Sequence, residues 1–249
     1  MASFYGIGVG PGDSELLTVK AVNTIKKLDI LYAPQAHKGG RSVAENIAAS
    51  YLPANLKIKR RHFPMTNDWE KKIKSWQEIA EEIAKDVEND NNVGFLTLGD
   101  PSVYSTFSYI AEMLAERIDI QTIAGISSFS QIAASFSVPL MLDEESLEII
   151  PATADITQLE KAIDLNNNVV IMKIATRFAQ VYKILEQRDL LSKTIVVENA
   201  SMKKQKKQRL IDYSVNDKLS YFSTALLKKG NKNVKSRKCN KILWRLPSS

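Results

Sequence analysis

The stretch Gly6-Ile7-Gly8-Val9-Gly10-Pro11-Gly12-Asp13 grows out of an apolar run that opens at Phe4, and its reading decides the fold. Phe4 to Val9 has the length of a short buried strand. Leu16, Leu17, Val19, Ala21, Val22 and Ile25 then lay out one face of a helix. A glycine-rich turn from a buried strand into a helix is how a parallel α/β sheet begins. The turn is not a dinucleotide fingerprint, which needs G-x-G-x-x-G so that backbone can approach a pyrophosphate. Counted from Gly6 the third glycine position holds Pro11, and counted from Gly8 it holds Asp13. The chain also lacks the Gly-Lys-Ser/Thr of a nucleoside-triphosphate loop. A tight turn remains, with Asp13 or Ser14 placed to cap the next helix.

Outward from this turn the alternation continues. Leu28 to Ala33, Leu56 to Phe63, Val93 to Leu98 and Ile118 to Ala124 read as four further strands. Between them, Val43, Ile47 and Ala48 mark one helix. Ile73, Trp76, Ile79, Ala80, Ile83, Ala84 and Val87 mark a longer one, capped by Asn67 or Asp68, and Tyr109 to Leu114 a third. Five strands separated by helices predict a mainly parallel sheet. A helix of small residues follows, Ser127 to Phe136, closed by Pro139. Strands are predicted at Leu147 to Ile150, Val169 to Ile174, Thr194 to Glu198 and Tyr221 to Leu227. After Lys193 the helices give out and strands crowd together, which predicts a mixed sheet with antiparallel members. The change of character at Ala124-Gly125 sets the expected boundary between α/β domains at 1–124 and 125–249, the second ending in a basic extension from Lys228 to Ser249.

Composition narrows the function classes. With 44% hydrophobic residues the chain can bury a full core without disulfide or metal staples. A single cysteine, Cys239, cannot pair internally and fits a reducing cytoplasm, and two histidines, His37 and His62, make a multi-histidine metal centre unexpected. No basic segment followed by an apolar stretch opens the chain, and no apolar run reaches the length of a membrane span. The net charge of +6 gathers in Lys57 to His62, Lys203 to Arg209 and Lys228 to Lys238. Such runs suit an anionic partner or are simply solvated loops and tails.

Two more segments have the make-up of ligand loops. Thr97-Leu98-Gly99-Asp100-Pro101-Ser102-Val103 follows a buried strand, at the carboxyl end where open parallel sheets bind ligands. Asp100 is suited to a helix N-cap and Pro101 to the first helical position. Ala124-Gly125-Ile126-Ser127-Ser128 offers hydroxyls and backbone N–H groups at a helix start.

Taken in order, Gly-Val-Gly-Pro-Gly-Asp at 8–13, Gly-Asp-Pro at 99–101 and Gly-Ile-Ser-Ser at 125–128 resemble the tetrapyrrole methylases. Phe63-Pro64-Met65, Tyr104-Ser105-Thr106, Ile149 to Thr153, Met172-Lys173 and Tyr221-Phe222-Ser223 resemble the branch that methylates C20 of an early corrin precursor. One departure is Ala124, where the family usually has proline. The resemblance implies two α/β domains, a homodimer, and S-adenosyl-L-methionine as methyl donor in cobalamin biosynthesis. It carries the cofactor contacts onto Pro11, Leu98, Gly99, Asp100, Val103, Ser127, Ser128, Met172 and Ala200. The implied substrate, metal-free precorrin-2 or its cobalt chelate, bears eight carboxylates, for which Lys38, Arg41, Arg60 and Arg61 are candidate partners. Asp100 is the candidate proton acceptor, although a capping carboxylate should be a weak base.

Two other functions compete. One is a same-fold methyltransferase acting at another tetrapyrrole position or on RNA, against which stands the lack of aromatic residues among the basic runs. The other is a non-catalytic protein that holds an anionic tetrapyrrole.

Overall fold

A computed structural model describes residues 2–35, 40–64 and 68–230. The chain divides into two compact units at Ser127/Ser128. In the first, β1 (Phe4–Gly8), β2 (Ile30–Gln35), β3 (Lys57–His62), β4 (Val93–Thr97) and β5 (Ile120–Ile123) form one sheet in the order β3-β2-β4-β1-β5. Every pairing in it is parallel. The helices α1 (Val19–Ile25) and α2 (Val43–Ala48) cover one face, where Ala21, Ile25, Ala44 and Ile47 pack on Ile7, Leu31 and Leu96. On the other face, α3 (Trp69–Glu88) and α4 (Thr106–Leu114) bury Ile79, Ile83, Phe107 and Ile110 against Phe4, Tyr32 and Phe95.

Helix α3 shows why its pattern is readable. Trp76, Ile79, Ala80, Ile83, Ala84 and Val87 are its buried residues, at three- and four-residue steps, and Asp68 caps it by accepting from the Lys71 N–H. The loops after β1 and β4, which are adjacent strands, lead to helices on opposite faces. That reversal opens a crevice at the carboxyl ends of the two strands.

The second unit has a mixed sheet. Its strands are β6 (Leu147–Pro151), β7 (Asn168–Met172), β8 (Thr194–Glu198), β9 (Lys206–Arg209) and β10 (Ser223–Lys228), in the order β6-β7-β10-β8-β9. Only β6 and β7 pair in parallel. The helices α6 (Ile156–Leu165) and α7 (Phe178–Glu186) pack on one face, and α5 (Ser128–Ser135) packs Ile132 on Val170, Ile195 and Leu226 of the other. No helix among the described residues is long and apolar enough to cross a membrane.

Two of the basic runs lie in strands, the first of them as expected from Leu56 to Phe63. Lys57 to His62 is β3 itself, and Lys206 to Arg209 is the edge strand β9, which sequence reasoning missed. Its charged side chains find local partners: Lys206 lies 3.8 Å from Glu198, and Lys207 Nζ sits over the Phe136 ring and donates to Ser135 Oγ at 3.2 Å. The basic extension also starts later than expected. Lys228 is the last residue of β10, and its buried Nζ lies 3.1 Å from Glu145 and 3.4 Å from Asn168 Oδ1. Beyond Gly230 the extension, with Cys239, lies outside the described residues.

Burial alone would push the Glu145 carboxyl up, but hydrogen bonds from Asn168 and Lys228 outweigh it and hold it below its ordinary value. A depressed carboxyl contributes stability above its unfolded pKa and loses it as the pH falls through the folded one. Lys228→Ala should therefore cost about 3 kcal/mol at neutral pH, because the buried carboxylate loses its partner. The deficit should shrink once the pH drops below the ordinary glutamate range, and urea unfolding of both proteins at neutral and acid pH checks this.

Candidate active site

Three loops meet at the carboxyl ends of β1, β4 and β5, and backbone holds them together. The Val9 N–H donates to Thr97 O at 3.0 Å, Gly99 N–H to Gly10 O at 2.8 Å, and Gly10 N–H back to Gly99 O at 3.3 Å. The third loop joins through a side chain: Asp100 Oδ2 accepts from the Gly125 N–H at 2.9 Å.

Glycine is required where these loops touch. A Cβ on Gly8 would stand 2.6 Å from the Gly125 backbone and 2.7 Å from the Gly99 carbonyl oxygen, and one on Gly125 would collide with that same oxygen. Gly99 is different. It has φ +76, a conformation that glycine adopts readily, and a Cβ there would meet nothing within 4 Å. The Gly99 Cα therefore faces open space above the strand ends.

The structure overturns one local expectation. Asp100 and Pro101 do not start a helix; α4 begins at Thr106, capped by Ser105, whose Oγ accepts from the Phe107 N–H at 3.1 Å. Asp100 instead closes a turn. Its Oδ1 accepts from the Ser102 N–H at 2.8 Å and from the Ser102 hydroxyl, and the Val103 N–H donates to Asp100 O at 3.2 Å. Tyr104, with φ 49, then takes the chain off any helical path. Partial burial pulls the Asp100 carboxyl upward, but the hydrogen bonds from Ser102 and Gly125 prevail and hold it below its usual range. A carboxylate so held fastens loops well and takes up protons poorly.

The other expected site residues fall into two groups. Pro11, Leu98, Gly99, Asp100 and Val103 belong to the loops after β1 and β4, and Ser127 follows the Gly125 loop. In the second unit Ser128 opens α5, while Met172 ends β7 and Ala200 follows β8, both in the cluster that includes Ile132 of α5. The backbone around them is unusual: Lys173, Asn199 and Ser201 all have positive φ. Strain of this kind costs about 1–3 kcal/mol per residue and tends to gather at ligand sites. Sequence reasoning missed Gly8 and Gly125 as site residues, although both stand in the glycine motifs that signal the loops.

Of the basic candidates, Lys38 lies outside the described residues. Arg60 and Arg61 point to opposite faces of the sheet, as neighbours on a strand must. Arg60 pairs with Glu45 of α2 and Arg61 with Glu82 of α3, at 2.5 and 2.7 Å, and Arg41 Nε lies 3.6 Å from Glu45.

The glycines can be told apart by experiment. Gly99→Ala should destabilise the protein by about 1 kcal/mol, the cost of a left-handed backbone at a non-glycine residue. Gly125→Ala, which forces the loops apart, should cost several times more; equal midpoints in urea would contradict the interlocked loops.

Residues 3–210 match the family model of the Tetrapyrrole (Corrin/Porphyrin) Methylases. The cobalt-precorrin-2 C(20)-methyltransferase of Salmonella typhimurium is 35% identical over 227 residues, which cover 90% of this chain and 95% of the relative. A probable cobalt-precorrin-2 C(20)-methyltransferase of Methanocaldococcus jannaschii is 40% identical over 170 residues, covering 68% of this chain and 71% of the relative. Among solved structures, uroporphyrin-III C-methyl transferase from Thermus thermophilus, complexed with S-adenyl homocysteine, shares the fold with a TM-score of 0.68 at 20% identity, over 92% of this chain and 98% of that one. The fold, the loops at the strand ends and these matches agree: the chain belongs to the tetrapyrrole methylase family.

Proposed function

We propose that the protein transfers a methyl group from S-adenosylmethionine to C20 of precorrin-2 in its cobalt-bearing form, a step of cobalamin biosynthesis. The observation that carries this reading is the interlaced set of loops around Gly99, whose Cα face is open where a donor would lie. The names of both relatives support the position methylated and the cobalt. Following the family resemblance, the working form is a homodimer, and the single cysteine fits a reducing cytoplasm.

S-adenosylmethionine supplies a methyl group already activated on a sulfonium. The chain's own task is therefore largely positioning. Gly99 offers backbone at close range, and Pro11, Leu98 and Val103 line the neighbouring loops. Ser127 adds a hydroxyl donor from the first unit, and Ser128, Met172 and Ala200 of the second are contacts implied by the family resemblance alone. Asp100 holds the Gly125 loop against the Gly99 turn, and its depressed pKa argues against a role as proton acceptor. Arg41 and Arg60, with Lys38, give the substrate carboxylates positive partners.

Incubation with cobalt-precorrin-2 and metal-free precorrin-2 in parallel, followed by mass analysis, tests the reaction. One added methyl on the cobalt form is expected, and no methyl on either would overturn the proposal. Asp100→Ala should weaken donor binding roughly tenfold, by releasing two loops, a loss of about 1.4 kcal/mol. A fall in kcat with unchanged donor affinity would instead make Asp100 the proton acceptor. Gly99→Leu should abolish donor binding in a folded protein, as isothermal titration would show.

A further inference from the structure

Glu45 is the most deeply buried charged side chain among the described residues, 1% exposed, and it faces two arginines. Arg60 grips it with one edge of the guanidinium, Nε to Oε2 at 3.2 Å and Nη2 to Oε1 at 2.5 Å. Arg41 Nε stands 3.6 Å from Oε1. The cluster thus carries one negative and two positive charges. Arg60 is 37% and Arg41 63% exposed, so solvent reaches the guanidinium groups but not the carboxylate that holds them.

As a staple between α2 and β3 this is a poor device. Such a pair gains little over a well-packed apolar contact of the same volume, because the buried carboxylate loses its hydration. What it does that an apolar contact cannot is fix a guanidinium in one orientation, with its remaining N–H donors turned outward.

The strand register says where those donors stand. Arg60 pairs with Ala33, one residue past Tyr32, which pairs with Phe95, and the next residue, Leu96, pairs with Ile7. Arg60 is therefore level with Leu96 and Ile7, just before the glycine loops begin. At a strand spacing of about 4.8 Å, β3 lies roughly 10 Å from β4 and 14 Å from β1 along the same rim. A ring with carboxylates around its edge, reacting near Gly99, would extend an acidic arm across such a gap.

We propose that Glu45 is a positioning residue that holds Arg60 as a fixed receptor for one peripheral carboxylate of the substrate. The inference rests on the proposed methyl transfer to a tetrapyrrole and assigns the selectivity for a polycarboxylate to this cluster. Glu45 itself does not touch the substrate.

Steady-state kinetics at saturating donor, with Glu45→Gln, Arg60→Ala and the double variant, test it. Glu45→Gln should raise the KM for the tetrapyrrole roughly tenfold, the size of one charged hydrogen bond, with kcat and donor affinity unchanged. Because Glu45 acts through Arg60, the double variant should be no worse than Arg60→Ala alone. If Glu45 were only a negative charge near the site, its removal would attract the anionic substrate and KM would fall. An unchanged or lower KM overturns the proposal, and so does full additivity in the double variant. Should Glu45→Gln fail to fold, Arg60→Met and Glu45→Met/Arg60→Met, which replace the ions with apolar chains, take its place, and unequal KM values between them overturn the proposal. Failure of the parent protein to methylate would remove the functional reading and this inference together; a methylating parent with an unaffected Glu45→Gln removes the inference alone.

Discussion

Backbone contact among Gly8, Gly99 and Gly125 is the constraint on which the first unit's site depends. Three loops from neighbouring strands converge there with less separation than any side chain would allow. The contact is possible because the sheet is parallel: β1, β4 and β5 all deliver their carboxyl ends to the same rim. Once the loops touch, hydrogen bonds between Gly10 and Gly99 and from Gly125 to Asp100 hold them without side-chain bulk. Gly99 is then left with its Cα toward open space, so the tightness below creates the accessible surface above.

Periodicity made the elements of the first unit legible. Helix α3 repeats apolar residues over about four turns, and buried strands such as Val93 to Thr97 are buried on both faces, so either pattern survives local noise. The start of α4 was not legible. Asp100-Pro101 has the composition of a helix start, but the same carboxylate that caps helices also closes Asx turns, and only the positive φ of Gly99 and Tyr104 decides between them. Strand β9 was invisible for a related reason. Lys206 to Arg209 has no apolar alternation, because an edge strand buries little; its pairing with β8 is made by backbone, which sequence pattern does not record.

The candidate site divides along the same line. Gly99, Asp100 and the serines stand in motifs whose order carries the family resemblance, whereas Gly125's contact with Gly8 joins residues more than a hundred positions apart. Met172 and Ala200 look like core residues in isolation, and both do pack in an apolar cluster. Left-handed residues stand beside them at 173, 199 and 201, and dihedral angles of that kind leave little trace in composition when the residues are lysine, asparagine and serine.

Charge is where sequence and structure differ most in meaning. A basic run such as Lys57 to His62 suggests an open anion-binding surface, yet folding supplies Asp86 to Lys59, Glu45 to Arg60 and Glu82 to Arg61. The alternation of a strand distributes these residues to both faces, so their closeness in sequence overstates their closeness as a patch. Net charge is therefore a weaker guide to an anionic ligand than the local balance of each cluster. Lys59 and Asp86 cancel, half-buried beside the Tyr32 hydroxyl, and Arg61 and Glu82 cancel at the surface. The Glu45 cluster does not cancel, since one carboxylate faces two guanidinium groups. A buried anion that fixes an excess of outward cations leaves attraction for a carboxylate while denying the arginines other poses, and the resulting preorganisation lowers the entropy lost on binding.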